Sequence, residues 1–176
     1  MRIYSRLFQI SSANYARQIM SNQFIKAKES KGLTYQQMAQ LLSVNKVWLT
    51  SVLHGQNCCD IQLAHRICDT LGISHEYANE LTSIPLRGNQ NIINDPLIYR
   101  FNELFKVYGS SLRGIIHEEF GDGIMSAIDC KIDVTKNEQS RVILRIDGKF
   151  LPYYKGQLDA GENLYFQSAG HHHHHH

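Results

Sequence analysis

The stretch LTYQQMAQLLSVNKVWLTSVLHG, residues 33–55, predicts two short helices joined by a tight turn. Thr34 is a helix N-cap, and Gln37 three residues later completes a capping box before the apolar positions of the first helix. Residues 43–45 form the turn, and the apolar residues of the second helix then recur at helical spacing until Gly55. The pattern therefore predicts a helix-turn-helix unit.

Further helices are predicted on both sides of this unit. Residues 15–30 carry apolar side chains at helical spacing. Asp60 is the N-cap of a fourth helix, and Gly72 ends it. A fifth helix begins at Ser74 and must end before Pro85, because proline cannot continue a helix. The first 85 residues thus predict five short helices.

The character of the sequence changes after this point. Residues 86–94 are polar and rich in Gly and Asn, which predicts a loop. Asp95 followed by Pro96 is a strong signal for the start of a helix, which is expected to end near Gly109. Residues 111–120 predict one more helix, closed by a Gly-Asp-Gly turn.

Alternating apolar and polar residues then predict two β-strands, over 124–134 and 141–146. Two strands alone are marginally stable in water, so a second subunit is expected to cover them. The predicted fold class is mainly α with a small α+β part. The predicted organisation is a helical domain over 1–85, an α+β domain over 86–155, and a tail over 156–176 that holds a linker, a protease-cleavage sequence and a hexahistidine tag.

Composition excludes several classes of protein. The formal net charge of +2 rises to +4 once the tail carboxylates Asp159 and Glu162 are set aside, which is mild for an obligate nucleic-acid binder. No apolar run is long enough to span a membrane. Four cysteines without paired CxxC spacing favour a reduced, cytoplasmic protein. Arg2, Arg6 and Arg17 precede the first acidic residue, so an organelle-targeting leader remains an alternative.

The unit at 33–55 resembles the helix-turn-helix of phage repressors, whose second helix enters the DNA major groove. Residues 44–54, however, carry only one certain cation, Lys46, beside Asn45, Thr50 and Ser51. Phosphate contacts dominate the affinity of such proteins for DNA, so a packing or assembly role is favoured here. A dimeric DNA-binding regulator is retained as the alternative function.

Five residues near this unit are potential zinc ligands: His54, Cys58, Cys59, His65 and Cys68. His65 and Cys68 stand three apart on one helix, which suits two ligands, but no second pair has the spacing of a zinc knuckle. Cysteines buried in a helical core are the simpler interpretation. No metal site is predicted.

Three polar residues near the carboxyl-terminal elements allow two interpretations each. Arg100 and Glu103, spaced i and i+3, lie on the flank of an apolar helix face. They form either an ordinary surface ion pair or a guanidinium held in orientation for a small anion. Ser126 lies on an apolar strand face, so its hydroxyl needs a partner, either a backbone carbonyl or a bound anion.

Four motifs carry a resemblance to one family: IPLRG at 84–88, DPLIYRF at 95–101, HEEFGDGIMSAI at 117–128 and DGKFLP at 147–152. They closely resemble cyanase, the bicarbonate-dependent cyanate hydratase (also called cyanate lyase). The resemblance implies that Arg100, Glu103 and Ser126 are catalytic and that Arg100 and Ser126 bind substrate. It implies bicarbonate as co-substrate, no metal and no organic cofactor.

The resemblance also implies an architecture. The amino-terminal part is expected to be a five-helix, repressor-like domain that does not bind DNA. The carboxyl-terminal helix and β-hairpin are expected to form a dimerisation domain that interlocks with a second copy. Five such dimers are expected to form a homodecamer, with active sites for cyanate and bicarbonate between subunits.

Overall fold

The computed structural model describes residues 19–153. The predicted amino-terminal start at 15–18, the basic residues Arg2, Arg6 and Arg17, and the tail lie outside this range. The described elements, in chain order, are α1 (19–30), α2 (Tyr35–Leu42), α3 (Lys46–Leu53), α4 (Ile61–Leu71), α5 (Ala78–Thr82), α6 (Pro96–Phe120), β1 (Gly123–Lys136) and β2 (Val142–Pro152). β1 and β2 form a two-stranded sheet, so the predicted fold class, mainly α with a small α+β part, is confirmed.

The described residues divide into two compact units. Residues 19–103 and 130–147 form one, and residues 104–129 and 148–153 form the other. The core of the first unit is built by α1–α5. Its buried apolar side chains are Phe24, Met38, Ala39, Leu42, Leu49, Val52, Leu53, Ala64, Ile67, Cys68, Leu71, Ala78 and Leu81.

Local capping explains why the short helices begin where the sequence predicts. The Thr34 hydroxyl accepts a hydrogen bond from the Gln37 backbone N–H at 3.1 Å, and the Gln37 side chain accepts one from the Thr34 N–H at 2.9 Å. Asp60 caps α4 by accepting from the Leu63 N–H at 2.8 Å. These bonds satisfy N–H groups that a helix terminus otherwise leaves unpaired. The predicted capping box and N-cap are confirmed.

The prediction of two helices between Asp95 and Phe120 was wrong. A single helix of 25 residues, α6, passes through Gly109 without a break. A lone glycine costs only about 1 kcal/mol relative to alanine inside a helix, and no proline follows to stop it. Glycine is therefore a weaker stop signal than the prediction assumed.

Two other boundaries differ from the prediction. The fifth helix is shorter than expected, because a 3₁₀ turn at His75–Tyr77 precedes α5. β2 is longer than expected and continues through Asp147 and Gly148, a pair that resembles a turn. At Gly148 a Cβ would lie 2.5 Å from the Met125 side chain and 2.8 Å from the Ser126 carbonyl oxygen. This glycine therefore allows a close approach of the strands.

The hairpin connection is fixed by Asn137, whose side-chain oxygen accepts from the Gln139 N–H at 3.0 Å and the Arg141 N–H at 2.9 Å. Ser140 adopts a left-handed conformation with φ of 58°. Such local bonds let Asn define a turn without help from distant residues. Among residues 19–153, no helix combines the length and apolar character needed to cross a membrane.

Candidate active site

The capped start of α6 determines where Arg100 and Glu103 lie further along the helix. The Asp95 carboxylate accepts from the Leu97 N–H at 2.9 Å and the Ile98 N–H at 3.2 Å, which confirms it as the N-cap. From this fixed start, i and i+3 side chains lie on neighbouring positions of the helix surface. Arg100 Nη1 donates to Glu103 Oε2 at 2.7 Å. The predicted pair is therefore present.

The electrostatics of this pair follow from its geometry. The hydrogen bond and the negative charge of Glu103 raise the pKa of the Arg100 guanidinium above its ordinary value. The Arg100 side chain is 76% exposed and that of Glu103 is 41% exposed. A guanidinium has five N–H donors, and Glu103 engages only the Nη1 end. The remaining donors can bind an anion, while the carboxylate limits how the side chain rotates.

Ser126 lies on β1 and is only 6% exposed. Its Oγ accepts from the Ile128 N–H at 3.1 Å and the Asp129 N–H at 2.9 Å. The sequence predicts that the Ser126 hydroxyl bonds either a backbone carbonyl or an anion. It does not predict the two backbone N–H groups that are observed. No acceptor for the Ser126 proton is found within the described part of the chain. Because accepted hydrogen bonds polarise a hydroxyl, this proton is a stronger donor than that of an isolated serine.

The strand around Ser126 departs from simple alternation. Ile128 shares the predicted apolar face with Ser126, yet it is 97% exposed in the single chain. Ser126 Oγ accepts from residues two and three positions further along the chain, a local contact that a period-two pattern does not predict. The closeness of Gly148 to the Ser126 backbone is the other feature that sequence reasoning missed. Its sequence signal, Asp-Gly within a strand, is the same as that of a turn.

The turn before Ser126 is tightly packed. His117 Nε2 lies 3.3 Å from the Gly123 carbonyl oxygen, and the Tyr153 N–H donates to the Asp122 carbonyl at 3.1 Å. A Cβ at Gly123 would clash with the Leu151 carbonyl oxygen, so only glycine fits. These contacts fix the start of β1, three residues before Ser126. Arg100 and Glu103 belong to the first compact unit and Ser126 to the second.

Several of the residues considered as zinc ligands make other contacts. Cys68 is buried in the core of the first unit, and no disulfide joins any of the four cysteines within the described residues. The His65 ring stacks on His75 with centroids 4.4 Å apart, and His75 Nε2 lies 2.7 Å from Asp69 Oδ1. Within residues 19–153, no three His, Cys, Asp or Glu side chains form a group that could hold a metal.

The helix that a repressor would use to read DNA is α3, and its amino-terminal end contacts the hairpin. Lys46 Nζ donates to the Val134 carbonyl at 2.7 Å and to Gln36 Oε1 at 2.8 Å. The Asn45 side chain donates to the Ile132 carbonyl at 3.3 Å. The one certain cation of residues 44–54 is therefore already occupied. This arrangement disfavours the DNA-binding alternative, which depends on free cations for phosphate contacts.

Comparison with known proteins covers both halves of the chain. Residues 17–85 match the family model described as "Cyanate hydratase, N-terminal", and residues 90–155 match "Cyanate lyase C-terminal domain". The chain belongs to the cyanate hydratase family. Cyanate hydratase from Synechococcus elongatus is 43% identical over 141 residues, 77% of this chain and 97% of the relative. That from Pseudomonas savastanoi pv. phaseolicola is 40% identical over 142 residues, 78% of this chain and 92% of the relative.

Membership in the cyanate hydratase family confirms the resemblance drawn from the four motifs. Arg100, Glu103 and Ser126 all fall within the match to the cyanate lyase C-terminal domain. Cyanate hydratases are lyases, so the chain is classed as an enzyme. The roles of the three residues remain predictions.

Proposed function

We propose that the chain catalyses the bicarbonate-dependent decomposition of cyanate to ammonia and carbon dioxide, and so detoxifies cyanate. Family membership supports cyanate as the substrate. The observation that carries the proposal is the Arg100–Glu103 pair, with Nη1 and Oε2 at 2.7 Å. It provides an oriented, permanently charged anion binder at the position where the motif predicts one.

In the proposed reaction a bicarbonate oxygen attacks the carbon of cyanate and forms a mixed dianion. Protonation and cleavage of this dianion release one carbon dioxide and leave carbamate. Carbamate takes up a second proton and breaks into ammonia and a second carbon dioxide. The sum consumes one cyanate, one bicarbonate and two protons, and it yields one ammonia and two carbon dioxide molecules.

The obstacle to this reaction is that both reactants are anions and repel each other. We assign to Arg100 the binding of the reacting anions, since its charge offsets the charge that accumulates as they join. Ser126 donates its uncommitted proton to the substrate or the dianion. Glu103 orients Arg100 and relays a proton. Holding the two reactants together then supplies much of the rate enhancement, without a metal or organic cofactor.

The site is proposed to form between subunits. In the single chain Arg100 is mostly exposed, and water weakens its electrostatic interactions. None of the described residues of α6 is buried, and large apolar side chains on α6 and the hairpin are exposed. Examples are Leu97 at 66%, Val107 at 67% and Val142 at 72%. Surfaces of this kind mark protein–protein interfaces. We propose a homo-oligomer of dimers assembled into a decamer.

Light scattering tests the assembly. We expect the tag-cleaved protein to have a mass several times that of one chain, because exposed apolar side chains along α6 and the hairpin otherwise face water. A stable and active monomer would contradict both the oligomer and the shared site.

Release of ammonia tests the reaction itself. We expect ammonia to form from cyanate when bicarbonate is supplied and to fall to near background when bicarbonate and dissolved carbon dioxide are removed. The measurement is a coupled ammonia assay in degassed buffer, with and without added bicarbonate. Cyanate breakdown that is independent of bicarbonate would exclude the proposed attack.

A further inference from the structure

A polar cavity lies in the first compact unit, beside the IPLRG motif that the proposed reaction does not use. It has a volume of about 620 Å³ and lies between α1, the residues that follow α3, and the loop 86–92. Its polar lining residues are Ser21, His54, Gln56, Asn89, Gln90 and Asn91. Ser21 is only 3% exposed, and its hydroxyl forms no hydrogen bond with another described residue. Leaving a buried hydroxyl unbonded is costly, so a ligand group in the cavity would stabilise it.

The side-chain oxygens of two lining amides each accept one hydrogen bond. Gln56 Oε1 accepts from the Gly88 N–H at 2.7 Å, and Asn89 Oδ1 accepts from the Asn91 N–H at 3.1 Å. The NH₂ group of each side chain, which only donates, has no acceptor among the described residues. The bond from Gln56 also holds the loop in place at Gly88, whose φ of 96° strongly favours glycine.

His54 adds another donor. Burial lowers the pKa of His54, so its ring is neutral near pH 7. Burial and the nearby Glu29 raise the pKa of Tyr35, so its phenol keeps its proton. Tyr35 Oη lies 3.1 Å from His54 Nε2, and the tautomer of the ring decides which of the two donates. In the tautomer in which the phenol donates, the ring proton resides on Nδ1 and is available to a ligand.

The described lining thus offers donors and no negative charge. No Asp or Glu is among the described residues that line the cavity, and Arg87 lies in the same loop, with Nη2 3.4 Å from Asn57 Oδ1. Leu86 and Ile92 supply apolar surface beside the polar groups. The volume suits a metabolite-sized ligand and far exceeds that of cyanate or bicarbonate.

We propose that this cavity binds a small aliphatic carboxylate. The carboxylate oxygens accept from the Ser21 hydroxyl, His54 and the side-chain amides, and the alkyl chain packs against Leu86 and Ile92. Hydrogen bonds to an ionised acceptor are stronger than neutral ones, which is why the free donors select a carboxylate over a neutral molecule. The inference does not depend on the proposed cyanate chemistry.

Calorimetric titration of the intact oligomer with butyrate, in a buffer without carboxylates, tests the proposal. We expect saturable binding of one butyrate per chain and at least tenfold weaker binding of butyramide, its neutral analogue. Gln90→Glu changes one atom of a lining side chain but adds a negative charge, and it should weaken butyrate binding at least tenfold. Ser21→Ala, which removes one donor, should weaken it several-fold to tenfold.

Matched variants locate the bound butyrate. Gln139→Glu makes the same charge change at a position that does not line the cavity, and it should bind butyrate as the wild type does. Arg100→Lys should also bind butyrate normally, whatever its effect on cyanate breakdown. Thermal unfolding confirms that each variant is folded. Absence of saturable binding, equal binding of butyramide, or binding lost in Arg100→Lys but kept in Gln90→Glu would each overturn the proposal.

Discussion

Arg100→Lys is expected to retain the oligomer and lose at least about a hundredfold in cyanate breakdown. Lysine keeps the charge but replaces a planar guanidinium, able to donate to Glu103 and an anion together, with a compact ammonium. Losing one preorganised donor aimed at developing charge costs on the order of 10²–10³ in rate. The measurement is bicarbonate-dependent ammonia release, beside the mass of the assembly.

The matched control is Arg113→Lys. This arginine lies on the same helix, is exposed, and forms no ion pair within the described residues. The same substitution there should leave activity near that of the wild type. If Arg100→Lys assembled normally and kept near-normal activity, Arg100 would be an ordinary surface partner of Glu103, because pairs of that kind contribute little.

Ser126→Ala is expected to assemble and to be nearly inactive. The substitution removes the proposed donor to the substrate, and it also removes the acceptor for the N–H groups of Ile128 and Asp129. Loss of that acceptor is expected to cost on the order of 1–3 kcal/mol of stability. The expected loss of rate should therefore greatly exceed the loss of stability. Ammonia release and thermal unfolding, measured on the same sample, separate the two.

Two further variants distinguish a donated proton from a structural contact. Ser126→Thr keeps a hydroxyl and should recover part of the activity that alanine loses. Ser111→Ala removes a hydroxyl from the exposed part of α6 and should behave as the wild type. A Ser126→Ala enzyme with normal turnover would remove Ser126 from the proposed mechanism. If Ser126→Thr were fully stable but as inactive as Ser126→Ala, the added methyl group would be crowding the site.

The local parts of the fold were predictable from the sequence because the bonds that define them span three residues or fewer. Thr34, Asp60 and Asp95 each accept from an N–H in the first turn of their own helix. The Arg100–Glu103 pair is predictable for the same reason, since helix geometry alone brings i and i+3 together. The motif around these residues then identified the family.

Features that depend on distant residues were not predictable. Gly109 and Gly148 resemble ends or turns in the sequence, but one lies inside a helix and the other inside a strand. At Gly148 the decisive contact is with Met125 and Ser126, more than twenty residues away. The alternation of apolar and polar residues does not encode the two N–H partners of Ser126. The spacing of apolar residues in the sequence shows which face of a helix or strand is apolar. It does not show which neighbouring element covers that face.

The bonds from Lys46 and Asn45 to β1 end on main-chain oxygens, those of Val134 and Ile132. Every residue type has such an oxygen, so substitutions at 132 and 134 can accumulate without loss of these two contacts. Mutational drift in the strand therefore leaves the contacts at the amino-terminal end of α3 in place. A descendant of this chain that acquired extra arginines on α3 would still have to displace the hairpin before that helix could approach a nucleic acid. Because both donors are side chains, substitutions that release the hairpin from α3 must fall at Lys46 and Asn45 themselves and not at the strand residues that they contact.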